Sequence, residues 1–438
     1  MQTWLLVIVV GAGVVLAVLG GMWAYVSATP PLHPTAGDVK SVAHADAAKQ
    51  WAAAAAEARE IVRASLAQQN LPGLSVAVGA GGEIVWAEGF GWADLEGRVA
   101  VTPDTRFRIG TASTALTSAA VGLLLEKGKL NLDENIRSYV PEFPEKQWPV
   151  TLRQLMGHVA GVRTDSGDEG PLLGTHCERP VEGLQVFAEK PLLFEPGTDF
   201  RYSSYGWILM SAAVEAAAGE PFLSFIRRQV FEPLGMSGTR ADDMRTDDSR
   251  AGAEPMADLA TSYFPRMSAE PRYGPDVNRE IDLSCYAGSS VFLSTPSDMV
   301  RFAIAVNSGT LLQPATVRLL QTSQRLSSGK ETSYGLGWDL ESVTLAGTPA
   351  RVIGHDGELM GGRVMSLMTF PEHGIVVALT SNISYSDTFA LGSKLAQAFA
   401  EQAKNTTVGD QVYVTFGQGD TISVARSGDG VQAIRRAP

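Results

Sequence analysis

Three short stretches of this chain carry groups that could attack a carbonyl and move a proton. The first is Phe107-Arg108-Ile109-Gly110-Thr111-Ala112-Ser113-Thr114, which opens an apolar helical run. The first turn of a helix offers free N–H groups and a positive dipole end, so negative charge developing there is stabilised. Thr111 and Thr114 are three apart and share a helix face. A threonine hydroxyl becomes a nucleophile when a base takes its proton. The second stretch is a Pro196-Gly197 turn leading to Tyr202-Ser203-Ser204. The third is Gly354-His355-Asp356-Gly357-Glu358, followed by Gly361-Gly362. Histidine titrates near neutrality and so can serve as base or charge partner. Singly, the three fit an ordinary helix cap, a turn with core aromatics and a surface histidine. The chemistry lies in their combination.

The elements that must hold these groups can be read from the pattern. An Ala-rich helix is expected over about 46–69, with Ile61, Val62 and Leu66 on one face. Leu74–Val78 alternates as a strand, Gly81-Gly82 makes a turn, and Glu83–Phe90 returns as the partner of a hairpin. Ala112–Lys127 reads as a strong helix, and 131–239 as mostly helical with Pro/Gly loops. Arg240–Arg279 is polar and irregular. Strands return near Ala350–Ile353, Val364–Phe370 and Gly374–Thr380, and Asp387–Gln402 closes the domain as a helix. The pattern predicts an α+β fold. An antiparallel sheet built from both chain ends carries helices on its faces and a helical insertion, with a cleft between insertion and sheet edge.

The 438 residues include 35 basic and 47 acidic side chains, a net charge of −12. Charge of that sign, thinly spread, argues against nucleic-acid binding. Trp4–Val26 is an uncharged apolar run of 23 residues, enough to span a bilayer core of about 30 Å. An uncleaved anchor is preferred to a signal peptide with a site at Val26-Ser27-Ala28, because signal h-regions are usually shorter. Either implies export, to an inner-membrane-anchored periplasmic or a secreted location. The expected organisation is 1–28 anchor or signal, 29–46 linker, 47–404 main domain with its insertion at about 131–285, and 405–438 tail. The tail's alternating pieces Gln411–Phe416 and Thr421–Ala425 suggest a small hairpin. Cys177 and Cys285 fit either a disulfide, which export permits, or two buried thiols. His176 beside Cys177 reads as packing, since two residues do not make a metal site. No cofactor, metal cluster or nucleotide loop is expected.

Together, and in order, the three stretches resemble the serine β-lactamase and penicillin-binding-protein superfamily. The match is to the branch holding class C β-lactamases, related esterases and D-aminoacyl peptidases. That branch carries S-x-x-K at the start of the helix after a hairpin, then Y-x-N, then K-T-G or H-x-G. Further strings agree: Leu71-Pro72-Gly73-Leu74, Gly89-Phe90-Gly91-Trp92-Ala93, Leu155-Met156-Gly157-His158-Val159-Ala160-Gly161, Pro233-Leu234-Gly235-Met236, Ala287-Gly288-Ser289-Ser290 and Tyr334-Gly335-Leu336-Gly337-Trp338. The resemblance covers about Leu71–Gln402. It implies a β-lactamase/transpeptidase-like fold with Thr111, Tyr202 and His355 as catalytic positions. Ser113, Thr114, Ser204, Asp356, Gly357 and Glu358 are then supporting or binding positions. It also implies an oxyanion site from the backbone N–H groups of Thr111 and Glu358.

The departures fall on the chemistry. Thr111 stands for the serine, Thr114 for the lysine and Ser204 for the asparagine, while His355 is a variant the family permits. Loss of the lysine is the graver change, since a positioned base is typically worth about 10²–10⁴ in rate. Lys127 and Lys129 lie too far along or beyond the helix to replace it. Two functions compete. One is an exported acyl hydrolase acting on esters, amides or D-aminoacyl peptides through Thr111, with Tyr202 and His355 managing protons. The other is a membrane-anchored pseudoenzyme that binds a cell-wall fragment or a protein partner. A true β-lactamase or transpeptidase is a weaker third, because both reactions lean on the missing lysine and asparagine.

Overall fold

The computed structural model describes residues 2–27, 29–163, 175–242, 258–278, 281–359, 361–409, 411–415, 421–427 and 430–436. Its helices are α1 Gln2–Ser27, α2 Ala52–Gln69, α3 Ser113–Glu126, α4 Leu152–Met156, α5 Ser204–Ala218, α6 Phe222–Ile226, α7 Pro296–Asn307, α8 Pro314–Leu320 and α9 Thr388–Gly409. The strands of the main sheet are β1 Ser41–Ala43, β2 Gly73–Ala80, β3 Glu83–Asp94, β10 Asp339–Leu345, β11 Thr348–Leu359, β12 Arg363–Phe370 and β13 Ile375–Ser381. Short strands β4 Val99–Ala100, β5 Phe107–Arg108, β6 Arg240–Ala241, β7 Tyr263–Pro265, β8 Pro275–Val277 and β9 Phe292–Ser294 lie between the two halves. A separate three-stranded sheet, β14 Gln411–Thr415, β15 Thr421–Ser427 and β16 Gly430–Arg436, holds the tail, where the sequence suggested two strands.

The main sheet is antiparallel in the order β1-β3-β2-β13-β12-β11-β10, with β4 off β3. β2 from the front of the chain pairs with β13 from its end, Ala77 opposite Ala378. Neither half could cover its own edge, so this central pairing closes the sheet. The β2–β3 turn works because Gly81 and Gly82 both take positive φ, +61° and +89°.

Each face of the sheet is covered by one layer. α2 and α9 cover the back, where Val62, Leu66, Phe90, Phe370, Leu395 and Phe399 are buried together. α3, α5, α7 and the insertion cover the front, with Leu116, Trp207, Phe302 and Trp338 at their centre. α3 is buried almost all round, as expected of a helix running through a core rather than along a surface.

Several details differ from the sequence reading. α2 begins at Ala52, after a 3-10 turn at Lys49–Trp51. β10 was not anticipated. It is the edge strand, and its exposed Glu341 and Ser342 weaken the apolar alternation. Among the described residues of 131–239 there is less helix than expected: much of what is described is turns and short 3-10 segments whose buried apolar side chains mimic a helix pattern. The segment expected as a linker lies on the body, with β1 paired to β3 and Val39 buried. Part of the polar 240–279 stretch, 243–257 and 279, lies outside the described residues, as does Phe416. Cys177 and Cys285 form a disulfide, with Cα atoms 4.9 Å apart. His176 Nδ1 lies within hydrogen-bond distance of Asp282 Oδ2, at 2.7 Å, so its role is to hold this corner.

Candidate active site

β11 lies directly against the start of α3, and a glycine makes this possible. A Cβ on Gly357 would overlap the Ile109 carbonyl oxygen and come within 2.6 Å of the Ala112 nitrogen. Gly110, at φ +52°, turns the chain into a 3-10 turn over Gly110–Ala112 that leads into α3. Thr111 therefore sits at the junction of helix and strand, only 7% exposed. Its hydroxyl donates to the Asp356 carbonyl oxygen at 3.3 Å.

The strand's alternation sorts the third motif onto two faces. His355 and Gly357 face α3. His355 is buried, and both its nitrogens are engaged: Nδ1 lies 2.7 Å from the Asp356 carbonyl oxygen and Nε2 lies 3.0 Å from the Tyr334 hydroxyl. Burial, with Tyr202 and Asp339 adding to it, pushes the Tyr334 phenol well above its ordinary range. Tyr334 therefore stays protonated and can donate to Nε2. The carbonyl can only accept, so Nδ1 carries the ring proton. Asp339 Oδ2 accepts the Asp356 backbone N–H at 3.0 Å and lies 3.8 Å from His355 Nδ1.

The Asp356 carboxyl belongs to the other face. Burial pushes its pKa up to about 7, a shift that the Ser366 hydroxyl opposes and Asp339, Glu341 and Asp387 reinforce. Only its main chain meets Thr111 and His355. Glu358 is exposed, and its carboxylate accepts the Tyr385 N–H at 2.9 Å.

The wall opposite β11 is aromatic. The Tyr202 ring lies 4.1 Å from the His158 ring and 6.3 Å from His355, centroid to centroid. His158 is buried. Burial, helped by His355, holds its pKa well below the usual value, so it is neutral. Its Nδ1 accepts the Ser203 N–H at 3.1 Å, which fixes the chain just after Tyr202. Tyr334 also packs on His158, 4.7 Å between rings. His158 and Tyr334 both stand inside the family-like strings, which by themselves assign neither a role. A histidine and a tyrosine in loops that otherwise carry only packing residues were the available signal.

The remaining predicted positions, Ser113, Thr114 and Ser204, are buried. Ser113 Oγ is buried and accepts the Phe292 N–H at 3.4 Å, away from the Thr111 hydroxyl's acceptor. Ser204 is buried at the first turn of α5. Thr114 is wholly buried, and among the described residues its hydroxyl has no hydrogen-bond partner. The structure thus gathers Thr111, His355 and Gly357 at one junction and sets Tyr202 beside it. The bond it shows for the Thr111 hydroxyl goes to a carbonyl oxygen. Among the described residues, no group of three or more His, Cys, Asp or Glu side chains could hold a metal ion.

Comparison with known proteins agrees with this fold. The chain is 26% identical to the serine beta-lactamase-like protein LACTB, mitochondrial, of Bos taurus, over 80% of each chain. It is 25% identical to penicillin-binding protein 4* of Bacillus subtilis, over 70% of this chain and 67% of that one. Among solved structures it is similar to the octameric penicillin-binding protein homologue from Pyrococcus abyssi, with a TM-score of 0.64 and 20% identity over 86% of both chains. It is similar too to the D-amino acid amidase from Ochrobactrum anthropi, with a TM-score of 0.64 and 21% identity over 83% of this chain and 99% of that one. These likenesses show the antiparallel sheet with flanking helices, and the family model for beta-lactamase matches residues 58–402. With that match spanning most of the chain, from α2 through the sheet to α9, the protein belongs to the beta-lactamase family of serine-hydrolase-like proteins.

Proposed function

We propose that this chain is a ligand-binding member of its family in which the acyl-transfer step is disabled. The ligand class is an acyl ester, amide or D-aminoacyl peptide. The observation that carries this reading is the Thr111 hydroxyl donating to the Asp356 carbonyl, with Thr114 in the position the family gives to lysine. A carbonyl oxygen cannot take the proton that a nucleophilic hydroxyl must lose. His355 is held by Tyr334 on one side and by the same carbonyl on the other. The close approach of β11 to the start of α3 does not depend on the replaced side chains, so the binding surface it builds survives without that chemistry.

The apolar N-terminal helix supports membrane attachment. Val10, Val14, Leu16, Val18, Met22 and Trp23 are each more than half exposed, so α1 is not a core helix of the body. Among the described side chains no single helix is long and apolar enough to cross a membrane, and their apolar stretch in α1 is Val10–Ala24. By sequence the run extends from Trp4 to Val26. The Cys177–Cys285 disulfide favours an oxidising compartment.

The test is kinetic. The purified protein is offered p-nitrophenyl esters, a chromogenic cephalosporin, a fluorescent penicillin and D-Ala-D-Ala peptides. The expected result is no acylation and no turnover above the background of Thr111→Ala. The double variant Thr111→Ser, Thr114→Lys is expected to gain about 10²–10⁴ in rate as the base is restored. Wild-type turnover that Thr111→Ala abolishes would instead establish Thr111 as a working nucleophile, with Tyr202 and His355 managing its protons. It would overturn the proposal.

A further inference from the structure

The chain is pinned to the body at once on leaving α1. The helix ends at Ser27, and Thr29 is already held: its hydroxyl donates to the Tyr273 carbonyl at 3.1 Å and meets Arg266 Nη2 at 3.3 Å. The Leu32 N–H donates to Asn70 Oδ1 at 2.7 Å. His33 and Val39 are buried, and Ser41–Ala43 joins the sheet as β1. Two residues reach at most about 7 Å. The end of α1 therefore lies within that distance of Thr29, which the β7–β8 hairpin holds.

That hairpin carries exposed apolar and half-buried aromatic side chains among mixed charges, with Arg272 paired to Glu270 and Asp276 exposed on β8. Arg272 is exposed and lies over the Tyr273 ring, 5.0 Å to its centroid, and Arg266 borders the same strand pair. Val277 on β8 is 67% exposed, and Ala269 is exposed on the connection. Interfacial tyrosine and arginine side chains can present an apolar body and a polar head together. The hairpin also borders the cleft strand. Gly361 and Gly362, in the turn that follows the His355–Glu358 segment of β11, abut Asn278 and Tyr263, and the Asn278 amide lies 3.5 Å from the Gly361 carbonyl.

We infer that the β7–β8 hairpin is a membrane-contact surface, resting on the lipid headgroups of the bilayer that α1 enters. The surface puts the Gly357–Glu358 end of the cleft on the membrane side of the body. The inference rests on α1 being an uncleaved anchor, and it is independent of whether the cleft does chemistry.

The two native cysteines are joined in a disulfide, so one introduced cysteine gives one labelling site. The full chain is prepared with Val277→Cys or Ala269→Cys, and with Leu319→Cys as a control on α8, which packs on α3 and α7. Each is labelled with an environment-sensitive fluorophore and reconstituted into 3:1 phosphatidylcholine/phosphatidylglycerol vesicles carrying shallow spin-labelled lipid. The labels at 277 and 269 are expected to shift to the blue and to be quenched at least twofold more than the label at 319. The variant Thr29→Val, Arg266→Gln, which cuts the tie, is expected to lose most of that difference while still floating with the vesicles. Equal quenching at all three sites would overturn the inference, as would hairpin labels as water-exposed as in detergent-free soluble protein. Failure of the wild-type chain to float would overturn it through its premise. None of these readouts uses ligand or turnover, so they leave the proposed function to its own test.

Discussion

The two walls of the cleft have kept different things. On the α3 wall the motif positions are hydroxyls: Thr111 bonded to a carbonyl, Thr114 buried with no hydrogen-bond partner among the described residues. On the opposite wall a connected set survives. His158 holds the chain after Tyr202, Tyr202 and Tyr334 pack on His158, and Tyr334 bonds His355. Loss on one wall has not loosened the other. The architecture of such a cleft is maintained by burial, ring packing and backbone close approach, none of which needs a nucleophile or an amine. Under the proposed function, shape and reactivity are separable properties of this fold.

The sharpest way to break that comparison is to force β11 away from α3 on the first wall. Gly357 touches the backbone of the α3 entry turn, which cannot swing aside as a side chain could. Gly357→Ala is expected to destabilise the protein by about 3 kcal/mol or more, at the upper end for overpacking. Gly206, on α5 in the other wall, has its nearest neighbour, the Leu155 carbonyl oxygen, at 3.5 Å, an ordinary contact. Gly206→Ala is expected to be neutral, or to stabilise by about 0.5–1 kcal/mol through helix propensity. Denaturant unfolding of both variants measures the contrast. Equal losses would show that the closeness of β11 and α3 is not the tighter constraint.

A second test sets the two faces of β11 against each other. The front-face His355 is tied by hydrogen bonds, whereas the back-face Asp356 carboxyl has a folded pKa of about 7, raised chiefly by burial. Between the unfolded value near 4 and about 7, the folded state holds a proton that the unfolded state has released, so stability falls as pH rises through that window. Below pH 4 both states are protonated and the penalty vanishes. Above 7 it is complete, at a few kcal/mol at most. Asp356→Asn is expected to flatten this dependence, raising stability at pH 8 by about 2 kcal/mol and leaving pH 3.5 almost unchanged. Thermal melts across pH 3.5–8 check the sign. A larger gain at low pH would refute it.

How much of this was legible in the sequence follows from how local each signal is. The β2–β3 hairpin announces itself through Gly81-Gly82, and α3 through Gly110 and the apolar run behind it. The Thr111–His355 meeting came only through resemblance, because 244 positions separate them and no periodicity links them. β10 escaped because an edge strand with exposed charge lacks the alternation of a half-buried one. Buried loops in 131–239 carry apolar side chains without helical backbone, so hydrophobic pattern overstated their helix content. His158 and Tyr334 escaped as site residues because their significance is purely tertiary: each acts on a group far away in the chain.

The smallest effect expected, a coupling of about 1 kcal/mol, is also the one that separates a connected wall from a merely packed one. Tyr334→Phe keeps the ring contacts with His158 but removes the hydroxyl that meets His355 Nε2, leaving a buried acceptor without its donor. A cost of about 1–3 kcal/mol is expected, since an orphaned buried group loses more than the net worth of its bond. Replacing both partners, Tyr334→Phe with His355→Leu, is expected to recover about 1 kcal/mol relative to the sum of the single changes, because no orphan then remains. The four-corner cycle, measured by denaturant unfolding, reads this coupling directly. A coupling of zero would mean that the rings hold this wall by packing alone, and that the His355 orientation owes nothing to Tyr334.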